Sequence, residues 1–377
     1  MFATNHKLIF GPAAKLSSEI DDASVRLVVT SPPYPMIEMW DATFASQSAD
    51  VSEALAAGEG RRAFEAMHRV LDEVWTECYR VLTPGGFACI NIGDATRSVA
   101  GRFKLYSNHT RITAACEGLG FEAVPLVLWR KQTNAPNKFM GSGMLPGGAY
   151  VTLEHEYILM LRKGGKAEFG PQERSRRRES AIFWEERNHW FSDLWDFKGV
   201  RQHIEDGARA RSGAFPFELA YRLINMYSLR GDTVFDPFLG TGTTTAAALA
   251  AARNSIGVEV DSDLREEIFG VIAGLSEVMN ARVWERLAEH NRFLESRRTD
   301  GKPPLKHKNE RYGFPVMTTQ ETELTLSSVD TIERTGADTV GATHRDLSAR
   351  DVAAGDPGAP APGAPAPPML WGFPDAE

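Results

Sequence analysis

The chain has 377 residues, 42% hydrophobic and 24% charged, with a formal net charge of −8, a make-up able to bury one large or two ordinary cores. No apolar run approaches the ~20 residues needed to span a bilayer, and the opening Met1-Phe2-Ala3-Thr4-Asn5-His6 lacks the basic-then-apolar layout of a secretory signal, so a cytoplasmic location is the default expectation. The three cysteines, Cys78, Cys89 and Cys116, are scattered and odd in number, which argues against a disulfide framework or a zinc cluster and reads as buried thiols.

Short β-rich runs at Leu8–Phe10 and Val25–Thr30 come first, the second stopped by Pro32-Pro33. Apolar residues at helical spacing over Ala63–Leu82 predict a helix, ended by Thr83-Pro-Gly-Gly86. Strands are expected at Phe87–Ile92, Val124–Trp129 and Glu156–Leu161, the last two separated by a Gly/Pro/Asn-rich loop. Residues 163–212 are crowded with Arg, Trp and Phe and show little periodicity. From Phe215 the pattern resumes: a helix to about Ser228, a strand at Thr233–Phe235, a glycine loop, a helix, and a strand at Ser255–Val260. A long amphipathic helix is expected from Asp263 to about Arg298. After Met317 the chain turns acidic, with 10 Asp/Glu against 3 Lys/Arg, and Val352–Pro368 is an Ala/Pro/Gly tract expected to be disordered. Met369–Phe373 reads as an untethered terminus. Alternating strands and helices indicate an α/β fold on a mainly parallel sheet.

Charge is unevenly spread. Arg97–Arg178 holds 14 Lys/Arg against 6 Asp/Glu, leaving 28 against 44 for the remainder. A basic region on an acidic chain fits one phosphate-facing surface.

Two motifs carry chemistry. Phe235-Asp-Pro-Phe-Leu-Gly-Thr-Gly-Thr-Thr244 lies between a strand and a helix. Gly240 and Gly242 permit a tight turn and close ligand approach, and the helix start offers free N–H groups. Glu259 ends the next strand, where a carboxylate can accept from ribose hydroxyls. The Lys-Ser/Thr pair of a phosphate-binding NTPase loop is missing, so a nucleoside cofactor is favoured over ATP or GTP. Thr30-Ser-Pro-Pro-Tyr34 ends a strand, where α/β sites lie. Consecutive prolines hold an extended backbone whose carbonyls accept, Ser31 adds a hydroxyl, and Tyr34 a flat ring. This equipment suits an amino group on a planar heterocycle.

The sequence here resembles the amino-specific DNA methyltransferases of bacterial restriction-modification systems, in the permuted β-class order, with Ser31–Tyr34 preceding Asp236–Gly242. The resemblance covers about residues 5–265 and includes Arg80–Gly86, Asn91–Asp94, Glu154–Ile158 and Phe215–Ile224. It implies a Rossmann-like S-adenosyl-L-methionine-dependent fold with a seven-stranded, circularly permuted sheet. Residues 1–162 would form the catalytic half, 163–212 a small target-recognition insert, 213–298 the cofactor-binding half, 299–351 an extension and 352–377 the tail. Ser31, Pro32, Pro33 and Tyr34 would be catalytic. Phe215, Pro216, Asp236, Phe238, Gly240, Gly242 and Glu259 would contact the cofactor. DNA contacts are expected from Arg174, Arg176, Arg177 and Arg178, and from Asn134 and Lys138 in the loop 132–150, with Trp184, Trp190 and Trp195 read as core. After the first strand relatives usually carry Gly-Asp, but this chain has Gly11-Pro12, so that acidic role is absent or filled from elsewhere.

The implied reaction is methyl transfer to the exocyclic N4 of cytosine in duplex DNA by base flipping and direct in-line attack, serine at position 31 being commonest among the N4 enzymes. Adenine N6 is the alternative, and an inactive DNA-binding relative a second. Methylation at cytosine C5 needs a cysteine after proline, and none of the three follows one. Double-stranded DNA is the implied partner and a separately acting cognate restriction endonuclease a further one; monomer and homodimer both stay open.

Overall fold

Val25–Thr30 is buried along most of its length because both of its faces are covered. In the computed structural model, which describes residues 1–16, 19–131, 140–197, 215–274 and 276–355, it lies inside a ten-stranded sheet. In chain order the strands are β1 (Phe2–Phe10), β2 (Val25–Thr30), β3 (Leu82–Ile92), β4 (Phe121–Arg130), β5 (His155–Lys163), β6 (Leu194–Asp196), β7 (Thr233–Asp236), β8 (Asn254–Glu259), β9 (Ser327–Gly336) and β10 (Thr339–Asp346). Their spatial order is β6-β4-β5-β3-β2-β7-β8-β1-β10-β9. The run β3-β2-β7-β8-β1 is parallel throughout, and β5 enters antiparallel between β3 and β4.

The strands β4 to β1 of this order make the seven-stranded sheet that the sequence leads one to expect. Three more strands extend it. β6, from the segment read as irregular, pairs parallel with β4, and the β9–β10 hairpin from the C-terminal extension adds antiparallel to β1. The extension therefore continues the sheet instead of standing apart from it.

Permutation appears as a neighbour relationship. β2 and β7 are some 200 residues apart yet pair at Val234↔Leu27 and Phe235↔Val28. From this seam the sheet grows one way through β3 and the other through β8, giving a crevice beyond the carboxyl ends of β2 and β7, where α/β folds place ligands.

The helices used below are α1 (Gly60–Val81), α2 (Pro171–Glu179), α3 (Trp184–Trp190), α4 (Phe217–Tyr227), α5 (Thr243–Ala250), α6 (Arg265–Ala273) and α7 (Ser276–Thr299). Two apolar clusters cover the sheet faces, one including α4 and α5, the other α1. The long helix expected from Asp263 is broken in two, with Gly274 capping α6, a residue that sheds helix propensity at the break. α7 is held by buried ion pairs: Arg282 to Glu218 of α4 at 2.9 Å, and Arg286 to Glu186 of α3. Phe183 joins Trp284, Tyr312, Leu324 and Leu347 in a third cluster, so the 163–212 segment and the extension share a core. Trp190 and Trp195 are buried, as their reading as core residues requires, whereas Trp184 is 38% exposed. All three cysteines are buried and unpaired. Among the described residues, no helix is long and apolar enough to cross a membrane.

Candidate active site

The carboxyl ends of β1, β2, β7 and β8 open into one cavity of about 300 Å³. Ser31, Pro32, Pro33 and Tyr34 line it from β2, and Asp236, Phe238, Gly240 and Glu259 from β7 and β8. Phe215 completes that wall, and Pro12 stands there in place of the acidic residue of the family pattern. Two expected contacts are not on the cavity wall. Gly242, at φ +93°, is the left-handed cap that starts α5, and Pro216 caps α4.

Asp236 is occupied by the protein. One of its carboxylate oxygens accepts from the Thr30 hydroxyl at 2.6 Å and the Phe238 N–H at 3.0 Å; the other accepts from the Thr244 hydroxyl at 2.6 Å. Burial pushes its pKa up to about 6, against the pull of these donors. The residue expected to touch the cofactor thus bolts the end of β2 to the loop after β7 and the start of α5.

Glu259 is held by the Gly240 N–H on one oxygen (2.9 Å) and the Asp261 N–H on the other (3.0 Å). A Cβ added at Gly240 would meet nothing within 4 Å, so the loop backbone faces open space. The Thr243 hydroxyl is buried without a partner among the described residues and lies on the cavity wall at the start of α5. A held carboxylate, bare backbone and a waiting hydroxyl fit a ligand with a ribose and polar ends, while the apolar Phe238 and Val260 offer a ring its walls.

On the β2 side Tyr34 is not a lone ring. Its hydroxyl donates to Glu156 at 2.9 Å and accepts from Asn91 Nδ2 at 2.9 Å and from the Ser31 hydroxyl at 3.2 Å. Asn91 also donates to Glu156 at 2.6 Å, and the Lys131 ammonium pairs with the other oxygen of Glu156. Burial, and next the charge of Glu156, push the Tyr34 phenol well above its ordinary range, so it keeps its proton near neutrality. Sequence reasoning missed Thr30, Asn91, Lys131 and Glu156 as site residues. Asn91 and Glu156 were within reach, being polar residues inside β-rich runs that an apolar-strand reading leaves unexplained.

The arginine cluster lies elsewhere. Arg176 pairs with Asp232, which precedes β7, and Arg178 with Glu323; Arg177 lies over Phe169, and Arg174 bonds the Phe169 carbonyl. That is the amino end of the parallel strands, the end opposite Ser31, because β5 runs antiparallel to β3 and delivers the chain there at Lys163. Arg174, Arg176, Arg177 and Arg178 are therefore not assembled with the pocket. Asn134 and Lys138 lie outside the described residues.

Two hairpins instead stand at the carboxyl end of the sheet, one following β3 and one preceding β5. Ala95–Val99 pairs with Arg102–Tyr106, and Met140–Gly141 with Ala149–Tyr150. Phe103 and Tyr150 join them, ring centroids 5.0 Å apart. Arg102, Lys104, Met144, Leu145 and Val151 are exposed there.

The family model for DNA methylases of the N6/N4 type matches residues 25–269. The Type II methyltransferase M.MthZI of Methanothermobacter thermautotrophicus is 49% identical over 327 residues, covering 86% of this chain and 90% of its own. M.MjaI of Methanocaldococcus jannaschii, another Type II methyltransferase, is 49% identical over 282 residues, 71% of this chain and 92% of its own. Among solved structures, a Thermus thermophilus protein assigned as a DNA modification methylase and crystallised with S-adenosyl-L-methionine is 34% identical. It aligns with a TM-score of 0.54 over 71% of this chain and 97% of its own.

Proposed function

The chain belongs to the N6/N4 family of DNA methylases, and from that premise we propose that it methylates the exocyclic N4 of cytosine at a specific site in duplex DNA. It is a DNA methyltransferase that uses S-adenosyl-L-methionine. The observation that carries the reading of amino methylation is the shared cavity: Ser31–Tyr34 and Gly240–Glu259 wall one space, with Thr30 bonded to Asp236 across the seam. Serine at the head of the motif, in the resemblance the mark of N4 enzymes, supports cytosine.

The cofactor supplies an electrophilic methyl group on a sulfonium. The chain's residues hold and aim the reactants. Glu259, the Gly240 backbone, Thr243 and Phe215 would seat the cofactor. Tyr34 offers its ring to a base turned out of the helix, because a paired amino group is inaccessible inside the duplex. The Ser31 hydroxyl oxygen and the Pro32 carbonyl would accept the amino hydrogens, building electron density on the nitrogen, and the proton that the amino group gives up in exchange for the methyl would leave to solvent. Positioning and fixed dipoles do the work. The cysteines lie off the cavity wall, and burial raises all three thiols, which leaves no nucleophile for attack at a ring carbon. The duplex would approach the hairpin face, and the methylation would protect sites from a separately acting restriction endonuclease.

Nucleoside mass spectrometry of duplex DNA treated with the protein and cofactor tests this. N4-methylcytosine is expected; N6-methyladenine alone would replace cytosine by adenine as the acceptor.

A further inference from the structure

We propose that Glu156 is a positioning residue for methyl transfer: it terminates a one-way series of donors, Ser31 to Tyr34 to Glu156, that leaves the Ser31 oxygen an acceptor toward the cavity. This rests on the amino-transfer reading and deepens it, for it explains how the site selects a base presenting an N–H there over one presenting a carbonyl.

The direction follows from what each group can donate. An ionised carboxylate only accepts. Glu156 carries the Lys131 ammonium on one oxygen and the Asn91 amide N–H on the other, so both of its oxygens already face donors and act as acceptors. Turning the Asn91 amide over would set its oxygen 2.6 Å from a carboxylate oxygen, so the N–H orientation is required. At 2.9 Å from Glu156, the Tyr34 oxygen must place its proton between the two, or two lone pairs would collide. Its phenol proton spent, Tyr34 can only accept from Asn91 and Ser31. Ser31 then commits its one proton at 3.2 Å to Tyr34 and keeps its lone pairs for the cavity it lines. An amino hydrogen finds an acceptor; a carbonyl oxygen finds repulsion.

The fold makes room for this series at Gly93. A Cβ there would stand 3.0 Å from Tyr34 Cε2 and 3.4 Å from Glu156 Cγ, so a larger residue would pry apart the ring and the carboxylate stem.

E156Q is nearly isosteric but can turn an N–H toward Tyr34 and reverse the series. Single-turnover methylation of duplex DNA at saturating cofactor, with calorimetric cofactor binding, reads the effect. We expect E156Q to lower the transfer rate at least tenfold with cofactor Kd within twofold of wild type. In the double variant S31A/E156Q the second change should cost less than twofold beyond S31A, because Glu156 acts through the hydroxyl already removed. Wild-type transfer in E156Q, or losses that simply multiply, would overturn the proposal. Should E156Q fail to bind cofactor, Tyr34→Phe cuts the same series at its middle and should show the same non-additivity with S31A. A wild-type protein that methylates no amino group would instead sink the underlying function, an outcome read in the same assay.

Discussion

The Thr30 hydroxyl donates to the Asp236 carboxylate at 2.6 Å across the β2–β7 seam. Thr30 immediately precedes the proposed catalytic motif, and Asp236 opens the loop proposed to hold the cofactor. This hydrogen bond fixes the spacing between the two proposed halves of the site with both partners buried. Thr30→Val keeps the shape and deletes the donor, leaving a buried carboxylate short of one partner at a cost of about 1–3 kcal/mol. Its thermal midpoint should fall, and kcat/KM should drop about tenfold or more, because a misplacement of ~1 Å costs that much or more. Thr30→Ser, which keeps the donor, should recover most of the rate. Steady-state kinetics of the pair checks this, and equal losses in both variants would contradict it.

What the sequence reveals and what it hides divide along range. The motif at Ser31–Tyr34, the turn at Gly240–Gly242 and Glu259 are local patterns, and each is legible because one short segment must present particular backbone groups. The work of Asp236 is not local. Its partners are Thr30, 206 positions earlier, and Thr244, and no periodicity in either segment announces them. The same holds for Glu156, whose partners Tyr34 and Asn91 are 122 and 65 positions away. The β9–β10 hairpin escapes because its alternation is built from Thr, Ser and short residues, with few large apolar groups to mark an inward face. The arginine cluster misleads for another reason: composition reports charge but not which end of the sheet carries it.

DNA affinity should follow placement, not arginine density. R174A/R177A alters the amino end of the sheet and should leave the KM for DNA within twofold. R102A/K104A removes two exposed cations from the Arg102–Tyr106 strand of the hairpin that follows β3 and should raise that KM severalfold. It should also reduce the slope of log affinity against log salt by about 0.9 for each phosphate no longer neutralised. Fluorescence anisotropy on duplex DNA at several salt concentrations separates the two. The reverse ranking would return DNA binding to the arginine helix α2.

The buried pair Glu218–Arg282 ties α4 to α7 through two hydrogen bonds of 2.9 and 3.0 Å. Burial raises the Glu218 carboxyl, but Arg282 and Arg222 hold it below its ordinary value. Removing one partner strands a charge in the interior, which costs about 3–5 kcal/mol. Arg282→Met should therefore lower the urea midpoint strongly. Glu218→Leu/Arg282→Met, which strands less charge, should recover a good part of the loss. A double variant as unstable as the single would show that packing, not the unpaired carboxylate, sets the cost.

Acid sensitivity should arise from buried histidines. His6 and His344 meet at the Thr4 hydroxyl, at 2.9 and 2.8 Å, where the C-terminal hairpin joins β1, and His68 is buried against Asn108 at 3.0 Å. Burial lowers them from an ordinary 6.5 to about 3 for His6 and His68 and about 4 for His344. Below pH 6.5 the unfolded chain takes up protons that the folded chain refuses, so this stability is present above pH 6.5 and lost as pH falls. Asp236 works in the opposite sense. Its folded pKa is raised to about 6, so its contribution is greatest in acid and disappears as pH rises through 6. Three histidines against one aspartate leave a net difference of about two protons, or about 3 kcal/mol per pH unit well below pH 6.5. Urea unfolding between pH 7 and 5 should show the midpoint falling. His68→Gln, which can still hydrogen-bond Asn108, should roughly halve the slope, and an unchanged slope would mean that His68 accepts its proton in the folded protein.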